Sequence, residues 1–222
     1  MGRYERSTDG RTSRWDGHRE QRRSELVDIA VQAIAQCGPL TTIEQIAQHA
    51  GTTRTKLYRF FDGAPDLRRA VAHRAVAMLT DELVPLWSPN GSPAEMISAA
   101  VGAYVHWLTV NTNLYLYVDR HAERGDREAA GTLNDLRSAI GMYLATVLAA
   151  HLDSFGLDAK PAQLLAFVVI GFVESGTRQW LHCPGGYCHE ELESQLSQWI
   201  WVLFDDTLRA GGITLDPHAP LD

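Results

Sequence analysis

Cysteine is scarce, three in 222 residues, and that odd, small number excludes a secreted fold stapled by disulfides. Long hydrophobic runs are missing. The longest, residues 164–173, falls far short of the roughly 20 residues that span a bilayer. The first sixteen residues carry no apolar stretch of the kind that directs secretion, so an intracellular, cytoplasmic protein with no membrane partner is expected. No strand-like alternation runs beyond a few residues, and neither an internal repeat nor a low-complexity run is present. The chain also has no Gly-rich phosphate loop, no nucleophile elbow and no His-Glu-x-x-His. Its His and Ser residues are scattered without partner spacing, so an enzyme built on this chain has little support.

What remains is an ordinary globular composition, 45% hydrophobic and 21% charged. The length suits one large domain, or a small domain fused to a medium one. The formal net charge of -7 hides an asymmetry. Up to Asp62 there are ten Lys and Arg against eight acids; beyond it there are ten against nineteen. The first 23 residues alone hold seven Arg. A mildly basic N-terminal piece on an acidic body suits a nucleic-acid-reading head joined to a body with another task; the alternative is a solvated, arginine-rich tail.

Gly, Pro and polar clusters cut the chain into helical pieces. Over residues 18–37 the apolar positions Leu26, Ile29, Ala30, Ala33, Ile34 and Cys37 follow the period of a one-faced helix. Gly38 and Pro39 end it. Thr42-Ile43-Glu44-Gln45 reads as a capping box that opens a short helix burying Ile43, Ile46, Ala47 and Ala50. Gly51 makes a turn, and Thr53 caps a third short helix carrying Arg54, Thr55, Lys56, Leu57, Tyr58 and Arg59. Two short helices joined by a tight turn, the second rich in donors, read as a helix-turn-helix. Longer helices are expected at about 65–84, 93–110, 114–121, 126–153, 161–182 and 189–210, with a second capping box at Ser92-Pro93-Ala94-Glu95. The predicted fold is all-α with about nine helices. It divides into a flexible basic arm at 1–17, a helix-turn-helix domain at 18–64, a helical body at 65–212 and a C-terminal tail at 213–222.

Thr42-Ile43-Glu44-Gln45-Ile46-Ala47, Ala50-Gly51-Thr52-Thr53, Leu57-Tyr58-Arg59-Phe60-Phe61 and Leu67 together resemble the DNA-binding head of TetR-family (tetracycline-repressor-like) transcriptional regulators. The motif covers about a quarter of the chain; the remainder matches in helix count and order. Two positions depart from the pattern. Gly63 and Ala64 stand where the family usually has Ser-Lys, and Thr52 stands where an aliphatic residue is common. Without that Lys, the helix N–H groups alone would serve the phosphate clamp. A sensor whose head no longer reads DNA is the reading that this departure would favour.

In a helix-turn-helix the start of the second helix meets the bases. Arg54 and Lys56 suit guanine N7 and O6, and Thr55 suits a thymine methyl. Thr42, Thr53, Tyr58 and Arg59 suit the edge of the groove and its phosphates. The arginines before His18 suit a minor groove, or a solvated tail. Residues 65–84 form the helix that joins head and body, with Leu67, Val71, Ala75, Val76 and Leu79 toward the core. A ligand that tilts this helix would shift the DNA-bound state.

The resemblance implies a pocket for a mainly apolar small molecule in the body. Trp87, Met96, Tyr104, Trp107, Tyr115, Tyr143, Phe167 and Glu174 are its candidate lining, with plain core packing as the alternative for each aromatic. The resemblance also implies a homodimeric repressor, bound to a pseudo-palindromic double-stranded DNA operator and released by that effector. Its interface would be formed by the last two long helices through Val168, Gly171, Phe172, Ser175, Gln179, Leu196, Trp199, Ile200 and Leu203. No cofactor is expected. One stretch stands apart: His182, Cys183, Cys188 and His189 flank Pro184-Gly185-Gly186-Tyr187. The four side chains suit a zinc site or a redox pair that would make the regulator metal- or redox-responsive, while the bland reading is a Pro-Gly-Gly turn. A small-molecule-binding helical protein or enzyme without DNA recognition is the alternative from another class.

Overall fold

The structure is a computed structural model and describes residues 9–83, 91–123 and 127–220. Among them are nine helices and no strand: α1 (Asp9–Cys37), α2 (Ile43–His49), α3 (Arg54–Leu57), α4 (Gly63–Leu83), α5 (Pro93–Val110), α6 (Thr112–Glu123), α7 (Arg127–Ser154), α8 (Pro161–His182) and α9 (His189–Ala210). No described helix is long and apolar enough to cross a membrane. The expected all-α architecture is the one observed. The chain forms two compact units, one of Met1–Ala75 with Asn113–Ala130 and one of Val76–Thr112 with Gly131–Asp222.

The first unit is built on α1, which starts at Asp9, well before the expected residue 18. No proline interrupts residues 9–17, so the stretch assigned to a flexible arm continues the helix; residues 1–8 of that arm lie outside the described residues. Leu26, Val27, Ala30, Ala33 and Ile34 are buried along one face of α1, while Ile29 of the expected stripe is half-buried and Cys37, at the helix end, is exposed. Gly38 then takes φ +92, a left-handed cap open to glycine alone at little strain. Ile43, Ile46 and Ala47 of α2, Leu57, Phe61, and Leu67, Val71 and Ala72 of α4 are buried in the same unit. Each of these Val, Leu, Ile and Phe side chains contributes about 1.5–3 kcal/mol by leaving water. Polar ties fix the frame: Arg74 Nε donates to Asp28 at 2.8 Å, and Asn113 Nδ2 donates to the Ala35 carbonyl at 2.9 Å.

In the second unit α9 packs along α5. Val101, Val105, Val169, Val173, Leu192, Leu196 and Ile200 form its main core. Gly102 allows the approach, because a Cβ there would stand 2.8 Å from the Glu193 carboxylate, which itself accepts from Ser98 Oγ at 3.1 Å. Leu152, Ala162 and Leu208 form a smaller core. The segment after Gly212, read as a tail, packs back onto it. Ile213 and Leu215 join the small core, and the Pro217 carbonyl accepts from Ala94 N–H at 2.9 Å.

Candidate functional site

The helix-turn-helix forms from the local chemistry read in the sequence. Thr42 Oγ1 accepts from Gln45 N–H at 3.3 Å, and Gln45 Oε1 accepts from Thr42 N–H at 2.8 Å, closing the capping box. Gly51 turns the chain at φ +61, and Thr53 Oγ1 accepts from Lys56 N–H at 3.4 Å to start α3. The third helix is one turn only. Tyr58 and Arg59, expected within it, lie beyond its end, where Arg59 and Phe60 N–H bond carbonyls three residues back. The chain must turn there to bury Phe61, which is 2% exposed.

The outer face carries the predicted donors. Thr42, Thr53, Arg54, Thr55, Lys56 and Arg59 are exposed, and Tyr58 is half-buried, while Leu57 between them is fully buried. Arg54 is not a loose cation. Its Nη1 pairs with Glu44 Oε1 of α2 at 2.7 Å, its Nε donates to Tyr58 Oη at 3.1 Å, and its guanidinium lies 5.3 Å from the centre of the Tyr58 ring. The Glu44 carboxyl sits below the usual carboxylate range, through its own backbone N–H and then Arg54. Glu44 stood in the sequence only as part of the capping box, and nothing in its spacing marked it as the partner of Arg54.

A second feature escaped the sequence altogether. Arg23 of α1 reaches Asp66 of α4 with two bonds, Nη1 to Oδ2 at 2.8 Å and Nη2 to Oδ1 at 2.9 Å. It also donates to the Phe60 carbonyl at 2.7 Å and lies 4.5 Å from the centre of the Phe61 ring. Asp66 accepts further from Arg69 and from Asp62 N–H. Arg23 and then the other donors hold its carboxyl far below the usual range, against the opposing effect of burial. This brace sits at the start of α4, where the resemblance placed a phosphate clamp. There Asp62 N–H is taken by Asp66, Gly63 N–H by the Phe61 carbonyl, and Pro65 has no N–H to offer.

The candidate effector residues that the structure describes fall on α5, α6, α7 and α8. Trp87 lies outside the described residues. Tyr115 is buried in the first unit. Met96, Tyr104 and Tyr143 are half-buried in the second, Tyr104 against its main core. Phe167 is a correction: it is 38% exposed on the outer stripe of α8, and its ring covers Gly141 of α7. Inward positions on α8 are Ala162, Ala166, Val169, Val173 and Thr177, a register that excludes residue 167. Glu174 is bound by two arginines, with Arg137 Nε donating to Oε2 at 2.7 Å and Arg178 Nη2 to Oε1 at 3.0 Å. Burial works against its charge, but these cations keep its carboxyl below the ordinary value. Trp107 is 5% exposed, and its indole N–H finds no acceptor among the described residues.

The expected self-association residues divide. Val168, Gly171, Ser175 and Gln179 are exposed along one stripe of α8, and Trp199 and Leu203 along one stripe of α9. Phe172 meets Trp199 edge-on at 5.7 Å. Leu196 and Ile200 are corrections: at 1% and 2% exposed they belong to the chain's own core and do not face a partner. Leu164 and Val202, 72% and 57% exposed, extend the apolar stripe instead.

The His/Cys stretch is a turn. Tyr187 N–H bonds the Pro184 carbonyl at 3.0 Å, and Trp180 Nε1 bonds the Tyr187 carbonyl at 2.9 Å. Cys183 and Cys188 are exposed free thiols. Among the described residues no three His, Cys, Asp or Glu side chains come together as a metal site, so His182, Cys183, Cys188 and His189 are not convergent ligands. The Cys188 thiol is pushed up: the Glu191 N–H favours the thiolate, but the Glu190 and Glu191 carboxylates outweigh it.

No protein-family model matches the chain. An uncharacterized HTH-type transcriptional regulator of Mycobacterium tuberculosis is 27% identical over 206 residues, covering 92% of this chain and 86% of that protein. A TetR-family transcriptional regulator from Streptomyces coelicolor superposes with a TM-score of 0.70 at 23% identity, over 86% of this chain and 83% of that one. The regulator FadR of Bacillus subtilis, solved in complex with stearoyl-CoA, superposes with a TM-score of 0.62 at 17% identity, over 79% and 95%. The chain has the TetR-family fold, and the proteins it is similar to along its length are helix-turn-helix transcriptional regulators.

Proposed function

With the TetR fold as premise, we propose that this protein is a ligand-responsive transcriptional regulator, not an enzyme. In this reading it is a cytoplasmic homodimeric repressor that leaves a pseudo-palindromic operator when a mainly apolar small molecule binds the helical body. The observation that carries the reading is the exposed row of donors on the first turn of α3, with Leu57 beneath it buried. Arg54, Thr55 and Lys56 occupy the first turn of α3, where a helix-turn-helix meets base edges. The hydroxyls of Thr42 and Thr53 accept within their caps and still have a proton to donate to a phosphate.

The apolar stripes of α8 and α9 support the dimer. Two heads would then read half-sites about one helical turn, ~34–36 Å, or multiples apart. The effector reading rests on Trp107, whose buried indole N–H calls for an acceptor, and on the FadR neighbour, whose ligand carries a long acyl chain. Helix α4 runs unbroken from Gly63 to Leu83, across the division at Ala75, and is the element such a ligand would tilt.

Fluorescence anisotropy against the DNA upstream of the protein's own gene, over a salt series with unrelated competitor, tests this. Binding about 10³–10⁷ tighter than to competitor, with two protomers per site, is the expected result. Affinity that stays at the non-specific level for every sequence selected from a random pool would refute it.

A further inference from the structure

Arg54 enters the head already restrained on three sides. An exposed ion pair alone holds an arginine weakly. Here the Glu44 carboxylate takes Nη1, the Tyr58 hydroxyl takes Nε, and the Tyr58 ring lies beneath the guanidinium, so three restraints act on one side chain. A guanidinium has five N–H donors in a rigid fork. With two committed, three remain, all on Nη1 and Nη2. That end of the fork matches the O6 and N7 acceptors of guanine in the major groove, and no other base pair offers the same two acceptors together.

An acid in the first turn of α2 suits the helix N-terminus, but on this face Glu44 carries a cost. It is exposed beside Thr42, on the surface that must approach phosphates, and its charge opposes that approach. What it adds is order. A side chain fixed before DNA arrives loses less freedom on binding, and a fixed fork cannot swing to another acceptor when the base is wrong.

Building on the DNA-binding reading, we infer that Arg54 reads one guanine in each operator half-site, and that Glu44, without touching DNA, and Tyr58, beside any phosphate contact of its own, are positioning residues that set this base choice. The base preference of the head is then a property of a three-residue unit drawn from α2, α3 and the turn after α3.

Selection from a random DNA pool, run in parallel on the full-length protein and on Arg54→Ala, Glu44→Gln and Tyr58→Phe, tests the inference. The native chain should return a site with a guanine in each half, discriminated by about 5- to 150-fold from the other bases. Arg54→Ala should lose that position. Glu44→Gln should relax the same position several-fold and leave the others, the salt dependence and the thermal melt unchanged; Tyr58→Phe should relax that position to a similar degree, beyond any even loss across sequences from its own phosphate contact. A uniform tightening by Glu44→Gln at every sequence would overturn the inference, because Glu44 would then merely repel phosphate. So would loss of a cytosine preference at a neighbouring position, which would make Glu44 a reader in its own right. A native chain that selects no site at all removes the DNA-binding reading, and the inference with it; a native site without the Arg54-dependent guanine removes the inference alone.

Discussion

Asp66→Asn should loosen the first unit and spare the second. The substitution keeps the shape of the side chain and, at Oδ2, an acceptor for Asp62 N–H, so it opens no cavity; it removes the charge and sets an NH2 donor where Oδ1 accepted from Arg23 and Arg69. The Asp66 side chain is 10% exposed and holds Arg23 and Arg69, which are 34% and 38% exposed. Breaking a fully buried pair costs about 3–5 kcal/mol. Because both arginines reach water, screening lowers the expected loss to about 2–3 kcal/mol. Native-state hydrogen exchange on the full chain reads it by region. Amides of Leu57, Phe61, Leu67 and Val71 should lose protection, whereas those of Val105 and Leu196 should not. The pH dependence follows from the sign of the shift. Asp66 is held below the usual carboxylate range in the folded state. Its contribution is therefore fully present above the unfolded value of about 3.9 and is lost as pH falls through the lower folded value. The gap between native and variant should stay constant from pH 8 to about 5 and close only in stronger acid. A gap below about 0.5 kcal/mol at pH 7, or equal loss of protection in both units, would refute the reasoning.

Three further outcomes are expected. Val168→Asp combined with Trp199→Glu should give a monomer in analytical ultracentrifugation with little change in thermal stability, whereas Leu196→Ala should cost about 2–5 kcal/mol of stability, because residue 196 is core. Arg137→Ala should destabilise the second unit by about 1–2 kcal/mol in urea unfolding; the arginine is one-third exposed and Arg178 still serves Glu174, which limits the loss. Glu190→Gln should speed alkylation of Cys188 at pH 8, followed by mass spectrometry, since the carboxylate now holds the thiol up and removing it raises the thiolate fraction. An unchanged rate would show that Glu190 does not govern the thiol.

Where local chemistry decides, the sequence already contains the fold. The capping boxes at Thr42 and Ser92 fix the starts of α2 and α5 because each is closed by residues three apart. Pro161 and the turn at Gly185-Gly186 bound α8 and α9 in the same way. The limits that were misjudged lie where no such signal exists. Residues 9–17 have no breaker strong enough to stop a helix and no apolar period to announce one. The segment after Gly212 folds back for Ile213 and Leu215, two side chains whose burial depends on Leu152 and Leu208 far away in sequence.

The candidate site divides along the same line. The placement of Arg54, Thr55 and Lys56 on the exposed first turn of α3 is legible because it follows from the cap at Thr53, one to three residues off. Their environment is not legible. Glu44 is ten residues from Arg54, and Arg23 is 43 residues from Asp66, so neither pairing leaves a periodic trace. The stripe expected to serve self-association shows the same limit from the other side. Leu196, Trp199, Ile200 and Leu203 look alike as a hydrophobic spacing on α9, and only the packing of α5 against that helix separates the inward pair from the outward one. Sequence spacing thus identifies which residues share a helix face. Which of two apolar faces is spent on the chain's own core, and which stays exposed, is fixed by the neighbouring helix, and here α5 takes Leu196 and Ile200 and leaves Trp199 and Leu203 exposed.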